Sequence, residues 1–370
     1  MSWPDRIASR LDSVRKRGQW REVRALADGH TTTSVWRSGT KVVSFASNDY
    51  LGLSQHPAVI AAAHDALDRD GAGAGAARLI VGGRPAHDDL ETAVAGWKQR
   101  PAALLFSTGY QANLGVLGAL AAAAPGCVIH SDELNHASII DGARLARADV
   151  RVFPHGDLDA LARALDDGSD RPRLVVSDEV FSMDGDEADT PALAACCADH
   201  DALLVLDVAH SVLAAPSPPD AILVGTLSKT LGSLGGFVAG PRDVIDLCRN
   251  TARSFIFTTA STPADTAAAV AAIGIADSRE GAGLTDRLRV NVDRLRSGHP
   301  SPIIPVLLGS EDHAVEVADA LLEAGLLVPA IRPPTVAPGS SRLRIAVSAT
   351  HETADLDRLA ETLGRLGHPI

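Results

Sequence analysis

The sequence predicts an α/β protein with a mainly parallel sheet, a small α+β unit at the C-terminal end and a helical arm at the N-terminus. Between about residues 46 and 276, apolar runs of four or five residues alternate with helical stretches, which is the pattern of a parallel sheet covered on both faces. From residue 277 the order changes to strand, helix, strand, helix. The chain has 370 residues, 46% hydrophobic and 22% charged, which is enough for more than one folded unit.

The N-terminal segment is basic and has the periodicity of a helix. Its first 24 residues carry a net charge of +4. Ile7, Leu11 and Val14 recur at helical spacing, and Ser2 before Pro4 is a helix-start pattern. Two interpretations remain open: a solvated amphipathic arm packed on the body, or a basic surface for an anionic carrier or a carboxylate.

The apolar pattern places the remaining elements. Predicted strands of the large sheet are 103–106, 127–130, 150–153, 174–177, 203–207, 222–226 and 236–239. Predicted helices between them are 111–122, 137–147, 158–165 and 191–199. The C-terminal unit is expected to contain strand 303–308, helix 313–324, strand 343–347 and helix 354–366. The chain therefore divides into an arm (1–45), a large domain (46–276) and a small domain (277–370).

Composition excludes several classes of protein. No apolar stretch approaches the ~18 residues of a membrane span, and the N-terminus lacks the apolar core of a secretory signal. A net charge of −12 is unsuited to nucleic acid. The four cysteines form no C-x-x-C pair, which argues against zinc and against a disulfide framework. We therefore expect a cytoplasmic enzyme without a metal, a nucleic-acid partner or a membrane partner.

Lysine is rare in this chain, and one lysine has an unusual position. Only four of the 34 basic residues are lysines. Lys229 follows the apolar run 222–226 and precedes the Gly-rich segment 232–236. A lysine just past a strand end suits Schiff-base chemistry, because burial there can lower its pKa. Taken alone, the pattern also fits a surface lysine.

Two further sequence patterns indicate candidate functional residues at the carboxyl ends of strands. Asp207 ends a strongly apolar run and could be a metal ligand, a helix cap or the partner of a buried cation. No acid or histidine cluster at ligand spacing supports a metal. The pyridine ring of pyridoxal 5'-phosphate (PLP) needs such an aspartate to keep its nitrogen protonated. Residues 106–113 end a strand and start a helix, where backbone amides can hold a phosphate; an ordinary Ser/Thr cap fits the same pattern.

Eight short motifs follow one another along the chain. They are 47–53 (SNDYLGL), 87–91 (HDDLE), 107–110 (STGY), 135–138 (NHAS), 180–186 (VFSMDGD), 207–210 (DVAH), 226–229 (TLSK), and 332–335 (RPPT) with 342–344 (RLR). In this order and spacing the sequence resembles the α-oxoamine synthases, which are PLP enzymes of fold type I. The resemblance implies an aminotransferase-like large domain and a homodimer.

The resemblance also implies roles for individual residues. Lys229 is expected to be the Schiff-base lysine and a proton-transfer group. Asp207 is expected to pair with the pyridine nitrogen, and His136 to stack on the ring face. Ser182 and His210 are expected to hydrogen-bond the ring hydroxyl.

The phosphate and substrate contacts are implied in the same way. The backbone of Gly109 and Tyr110, with the Thr226 hydroxyl, is expected to hold the phosphate. Arg344 is the candidate for the amino-acid carboxylate; the alternative is that Arg342 and Arg344 are exposed or paired with surface acids. Arg21 and Thr335 are candidates for the acyl chain, although the arm holds six other cations and Arg21 need not be special.

The expected reaction is a PLP-dependent decarboxylative condensation of L-alanine with a pimeloyl thioester, the step that belongs to biotin synthesis in this family. Coenzyme A or an acyl carrier protein would deliver the acyl group. Alternatives within the family are glycine C-acetyltransferase, 5-aminolevulinate synthase and serine palmitoyltransferase. A non-catalytic subunit is disfavoured because Lys229 is present, and a dinucleotide-binding reductase rests only on the glycines at 71–75.

Two segments depart from the family pattern. Only 19 residues separate His210 from Lys229, so the loop between them is short. The sequence Gly-Ala-Ala-Arg-Leu at 75–79 replaces the common Gly-Ser-Arg-Leu. Neither change removes a catalytic group, but the short loop leaves the shape of the site mouth open and makes the substrate less certain than the activity.

Overall fold

The first helix begins at the predicted cap. The computed structural model describes residues 1–17, 19–21, 23, 31–37 and 40–370. Helix α1 spans Trp3–Lys16, and the Ser2 hydroxyl accepts a hydrogen bond from the Asp5 amide at 3.3 Å while the Ser2 amide donates to the Asp5 carboxylate at 2.9 Å. This reciprocal capping box explains the helix start. None of the side chains of α1 is buried. Glu22 and Arg24, which the charge count of the arm includes, lie outside the described residues.

All predicted strands and helices are present, but the chain has further elements. A helix over Arg279–Leu295 precedes the first predicted strand of the C-terminal unit, and two strands, Ser34–Arg37 and Thr40–Ser44, lie in the predicted helical arm. The other helices are α2 Pro57–Asp70, α3 Pro85–Trp97, α4 Gly109–Ala123, α5 Ala137–Leu145, α6 Leu158–Leu165, α7 Thr190–Asp199, α8 Arg242–Thr251, α9 Arg253–Ile256, α10 Pro263–Ala276, α11 Arg279–Leu295, α12 Glu311–Glu323 and α13 Thr353–Arg365. The strands are β1 Ser34–Arg37, β2 Thr40–Ser44, β3 Ala102–Phe106, β4 Val128–Asp132, β5 Asp149–Phe153, β6 Arg173–Asp178, β7 Ala202–Asp207, β8 Ile222–Thr226, β9 Gly236–Gly240, β10 Ile303–Gly309, β11 Leu326–Leu327, β12 Ala330–Ile331 and β13 Ser341–Ala346.

Strands β3 to β9 form one large sheet. Its order is β3-β9-β8-β7-β6-β4-β5. The neighbours from β8 to β5 are parallel, whereas β9 runs antiparallel to both β3 and β8. All strands of this sheet except β9 therefore point their carboxyl ends to one edge, where ligands of such sheets bind. The predicted α/β class with a mainly parallel sheet is confirmed.

Helices cover both faces of this sheet, as its apolar strands require. Leu104 and Phe106 of β3 pack into a cluster with residues of α4, α5 and α8, while Leu105 packs into a second cluster with residues of α6, α7 and α10. Successive residues of a strand point to opposite faces, so β3, β6, β7, β8 and β9 each contribute residues to both clusters. This burial on both faces explains why the strand sequences are continuous apolar runs rather than alternations of apolar and polar residues.

Two small sheets lie outside the large one. Strands β10, β13 and β12 form an antiparallel sheet in that order, and β2 pairs with both β1 and β11. The pairing of Leu326 with Val43 joins the segment before residue 45 to the C-terminal unit. The domain boundaries at 45 and 276 stay predictions. Among the described helices, none is both long and apolar enough to cross a bilayer.

Candidate active site

A cavity of about 200 Å³ opens at the carboxyl edge of the large sheet. It is lined by Thr108, Gly109, Tyr110, His136, Ser138, Asp178, Ser182, Asp207, Ala209, His210, Gly225, Thr226, Ser228 and Lys229. All eight residues expected to contact the cofactor are in this lining. The loops that follow β3, β6, β7 and β8 supply most of them, which is why residues so distant in sequence meet here.

Lys229 lies in this cavity with His210 as its hydrogen-bond partner. The Nζ atom of Lys229 is 2.7 Å from Nε2 of His210. Burial lowers the pKa of Lys229, although the nearby carboxylates of Asp207 and Asp178 act in the opposite direction. A lysine with a lowered pKa is more often the neutral amine, which is the nucleophilic form.

Asp207 at the end of β7 is tied to His136 through two polar side chains. The Asn113 amide donates to the Asp207 carboxylate at 2.7 Å and to the Ser138 hydroxyl at 2.9 Å. The Ser138 hydroxyl lies 2.8 Å from Nδ1 of His136. Burial lowers the pKa of His136, so its ring is neutral near pH 7. This chain of contacts fixes the carboxylate and the imidazole relative to each other.

A second buried carboxylate lies beside Asp207. Asp178 ends β6 and pairs with Asp207 in the register of the sheet. Its carboxylate accepts a hydrogen bond from the His136 amide at 2.8 Å. Burial and then the charge of Asp207 raise the pKa of Asp178 well above its ordinary value. Two adjacent buried carboxyl groups do not both ionise readily, so the charge of Asp207 opposes a second negative charge on Asp178.

The start of α4 contributes backbone atoms to one part of the cavity lining. The Thr108 hydroxyl accepts the Gln111 amide at 3.1 Å, and the amides of Gly109 and Tyr110 belong to the first turn, where the helix offers them no carbonyl. A Cβ on Gly236 would lie 2.4 Å from the Gly109 nitrogen. Residue 236 must therefore be glycine. The free amides at the start of α4 form a positively polarised cup that suits a phosphate.

Arg344 and Arg342 share one face of β13, but their partners differ. Both guanidinium groups are buried, so neither is solvent-exposed as one alternative held. Arg342 forms an ion pair with Asp184. Arg344 donates from Nε to the Ser182 carbonyl at 2.5 Å and from Nη2 to the Asn48 side-chain oxygen at 3.1 Å. Among the described residues, no carboxylate pairs with Arg344, so its charge is available for the carboxylate of a ligand.

The two residues expected at the acyl chain are not part of the cavity lining. Arg21 is exposed in the segment between α1 and β1, and Thr335 is exposed in the loop between β12 and β13. The Thr335 amide donates to the Arg332 carbonyl at 3.1 Å, which is a contact within that loop. Their roles stay predictions.

A bridging histidine supports the loop that carries Ser182. The His155 ring lies with Nδ1 3.0 Å from the Asp132 carboxylate and Nε2 2.7 Å from the Asp186 carboxylate. Burial opposes a charge on this ring, but the hydrogen bonds to Asp186 and Asp132 outweigh it and raise its pKa. The ring also packs edge-on against Phe181, next to Ser182. His155 thus anchors the segment from which Ser182 enters the cavity.

Sequence reasoning missed several polar residues of the site. Asn48 and Tyr50 lie within a quoted motif but had no assigned role, and Asn113 lies one turn into the helix whose start was recognised. Asp178 follows the apolar run 174–177 in the way that Asp207 follows its own run. That repeated pattern of a buried strand ending in an acid was the available signal for Asp178.

The large sheet, its one antiparallel strand and the lysine at its carboxyl edge define a protein of the class I and II aminotransferase type. The family described as aminotransferase class I and II matches residues 40–363. Over nearly full length, the chain is 43% identical to the 8-amino-7-oxononanoate synthase of Alkalilimnicola ehrlichii, covering 97% of both chains. It is 42% identical to that of Paraburkholderia xenovorans, covering 98% of both. The chain belongs to the family of these synthases within the class I and II aminotransferases.

Solved structures agree with this assignment. A serine palmitoyltransferase from S. paucimobilis, described with a bound PLP-myriocin aldimine, superposes with a TM-score of 0.89. It is 27% identical to this chain, and the match covers 98% of this chain and 97% of the other. The two folds are therefore alike over their whole length, including the edge of the sheet where the cavity lies.

Proposed function

We propose that this chain is a PLP-dependent acyltransferase that condenses L-alanine with a pimeloyl thioester. A carbon–carbon bond forms between Cα of alanine and the acyl carbon, the thiol leaves, and the alanine carboxylate departs as CO2. The product is 8-amino-7-oxononanoate, an intermediate of biotin synthesis. The observation that carries the proposal is the 43% identity to a full-length synthase of that name, together with a cavity lined by both Lys229 and Asp207.

The residues of the cavity fit PLP. The glycine-lined start of α4 suits its phosphate, since a side chain at Gly109 or Gly236 would meet backbone or the Thr226 side chain. Asp207 is a carboxylate suited to a protonated ring nitrogen, and Lys229 is an amine suited to the aldehyde. When bound, the cofactor supplies an electron-withdrawing pyridinium that stabilises negative charge at Cα of the amino acid.

The protein residues then have separate tasks. Lys229 accepts the proton from Cα, because its lowered pKa increases the fraction of the neutral amine, the form that can take up a proton. Asp207 keeps the ring nitrogen protonated, and the Asn113 hydrogen bond holds its carboxylate in place. We infer that His136 covers one face of the ring and that Ser182 and His210 hydrogen-bond the ring hydroxyl, and the fact that all three line the cavity supports this.

The two substrates, the amino acid and the acyl thioester, require different contacts. Arg344 binds the alanine carboxylate, because its buried guanidinium can offer two parallel N–H donors. Arg21 and Thr335 contact the acyl chain in this proposal, and the basic arm favours an anionic carrier of the acyl group, either coenzyme A or an acyl carrier protein.

The proposal includes a homodimer in the cytoplasm. Exposed apolar side chains support an interface: Ile80 is 74% exposed with Leu79 and Val81 beside it, and Phe257 is 70% exposed. The Ala260 amide donates to the Ala76 carbonyl at 3.0 Å, which brings these two segments together into one patch. The free state of all four cysteines is compatible with a reducing compartment.

Serine palmitoyltransferase activity is the second candidate, because solved structures of that enzyme match this fold with a TM-score of up to 0.91. Product analysis by mass spectrometry separates the candidates. Alanine, glycine and serine are each incubated with acyl thioesters of graded length. We expect product from alanine and the pimeloyl thioester; a preference for serine with a long acyl chain would replace the proposal with the second candidate.

A further inference from the structure

The hydroxyl of Ser138 lies between the amide group of Asn113 and the imidazole of His136. The Asn113 side-chain nitrogen lies 2.7 Å from the Asp207 carboxylate and 2.9 Å from the Ser138 hydroxyl. An ionised carboxylate only accepts hydrogen bonds, so the amide group must turn its nitrogen toward Asp207. The second N–H of that nitrogen then donates to Ser138. The Ser138 oxygen is therefore an acceptor in this contact, and its own proton is left for another one.

The acceptor for this proton is Nδ1 of His136. It lies 2.8 Å from the Ser138 hydroxyl, and the described residues offer that hydroxyl no other acceptor. His136 is also the N-cap of α5, where Nδ1 accepts the backbone amide of Ser138 at 3.3 Å. A ring nitrogen that accepts hydrogen bonds carries no proton, so two independent contacts identify Nδ1 as the unprotonated nitrogen.

The charged groups around His136 agree with this assignment. Burial and the charge of Lys229 lower the pKa of His136, while Asp207 acts in the opposite direction. The Asp178 carboxylate bonds the backbone amide of His136 at 2.8 Å rather than its ring. The ring is therefore neutral near pH 7, and its single proton lies on Nε2. Within the part of the chain that the structure describes, Nε2 has no hydrogen-bond partner, so this N–H is available to a ligand in the cavity that His136 lines.

We propose that Ser138 is a positioning residue that fixes His136 in its Nε2–H tautomer, so that the ring presents a hydrogen-bond donor to the cavity. A neutral imidazole in this tautomer has no free lone pair on Nε2, so this atom cannot accept the proton from Cα of the amino acid. It can donate to an oxygen atom of a bound substrate. Lys229 is then the group that takes the proton from Cα; this consequence rests on the proposed function, whereas the tautomer does not.

The first test observes the tautomer in the full-length protein saturated with PLP. In protein labelled with ¹³C,¹⁵N-histidine, protonated and unprotonated ring nitrogens have well-separated chemical shifts, and correlation with the ring carbons distinguishes Nδ1 from Nε2. His136→Gln identifies the His136 signals by their loss. We expect an unprotonated Nδ1 and a protonated Nε2, and a protonated Nδ1 in the neutral ring overturns the proposal.

The second test measures what the Ser138 hydroxyl contributes. Ser138→Ala removes the O–H that donates to Nδ1, which destabilises the neutral ring relative to the charged one. We expect the pKa of His136, followed by the same signals across a pH series, to rise by roughly 0.4–1.1 pH units, the equivalent of one ordinary hydrogen bond. An unchanged or lowered pKa means that the hydroxyl does not hold the tautomer, and it overturns the proposal.

Ser131→Ala is the matched control for general loosening. Ser131 is also a buried serine whose hydroxyl accepts from an asparagine, Asn135 at 2.9 Å, but it does not contact the His136 ring. The variant therefore disturbs the same segment without removing the donor to Nδ1. We expect the pKa of His136 to stay unchanged in Ser131→Ala, and an equal rise in both variants overturns the proposal. Neither test requires turnover, so a failed product assay would leave both results interpretable.

Discussion

Replacing Arg344 by lysine should weaken the binding of L-alanine far more than that of the acyl thioester. The guanidinium is 5% exposed and donates to the Ser182 carbonyl and the Asn48 amide oxygen. An ammonium at this position keeps the charge but loses the planar pair of donors that meets both oxygens of a carboxylate.

The magnitude follows from the hydrogen bonds involved. A hydrogen bond to a charged group contributes about 1.5–3 kcal/mol, so the loss of one fork contact should raise the Kd of L-alanine roughly 10- to 150-fold. The assay is a titration of the cofactor-loaded protein with L-alanine, followed by absorbance, beside the dependence of the rate on thioester concentration.

Arg342→Lys is the matched control. Arg342 lies on the same face of the same strand but is already neutralised by Asp184. We expect it to cost stability and to leave the affinity for alanine within a few-fold of the original. If alanine binding is unchanged in Arg344→Lys while the thioester dependence collapses, Arg344 belongs to the acyl site and the assignment is wrong.

Three further changes test the site. Lys229→Ala should abolish turnover and borohydride-stable attachment of the cofactor with little change in melting temperature; attachment to another lysine would contradict this. Asp207→Asn should retain some cofactor yet lose most activity, because an unprotonated pyridine is a poor electron sink, and near-normal rates would make Asp207 a structural residue. His155, whose pKa is raised by Asp186 and Asp132, contributes stability that is complete below its ordinary pKa of 6.5 and is lost as pH rises through the raised value. His155→Gln should therefore reduce the free energy of unfolding by up to about 1 kcal/mol at pH 5.5 and by less at pH 9, measured with urea.

The central strands of the large sheet were predictable because they are buried on both faces and bounded by turns, so the apolar runs alone located them. The short strands β1, β2, β11 and β12 were not predicted, because two to five partly exposed residues give no such run. The strand-to-helix turn at the start of α4 was predictable for a similar local reason, since a strand, a Thr cap and a glycine follow within a few residues. Asn113 was not, because its partners Asp207 and Ser138 lie 94 and 25 residues away and depend on the register of the sheet. The choice between Arg342 and Arg344 likewise needed the position of Asp184, which strand alternation cannot supply.

The contact between Tyr50 and His210 shows the same limit. The motif 47–53 marked this segment as important, yet the hydrogen bond between Tyr50 and His210 spans 160 residues. Sequence spacing carries no information on such a contact. Only the fold shows that the hydroxyl faces the imidazole rather than solvent.

The order of strands in the large sheet also determines when the cavity can form while the ribosome synthesises the chain. Strand β3 joins the sheet only through β9, so the cup at the start of α4 is incomplete until Gly236 has left the ribosome. The contact between Asn48 and Arg344 spans 296 residues, and at ribosomal rates of about 5–20 residues per second the first partner waits roughly 15–60 s for the second. A nascent chain arrested before Arg344 can hold the elements at the start of α4 and the lysine, but not the proposed amino-acid site. The contact of Asn48 with Arg344 is therefore completed late, however early the start of α4 has been made.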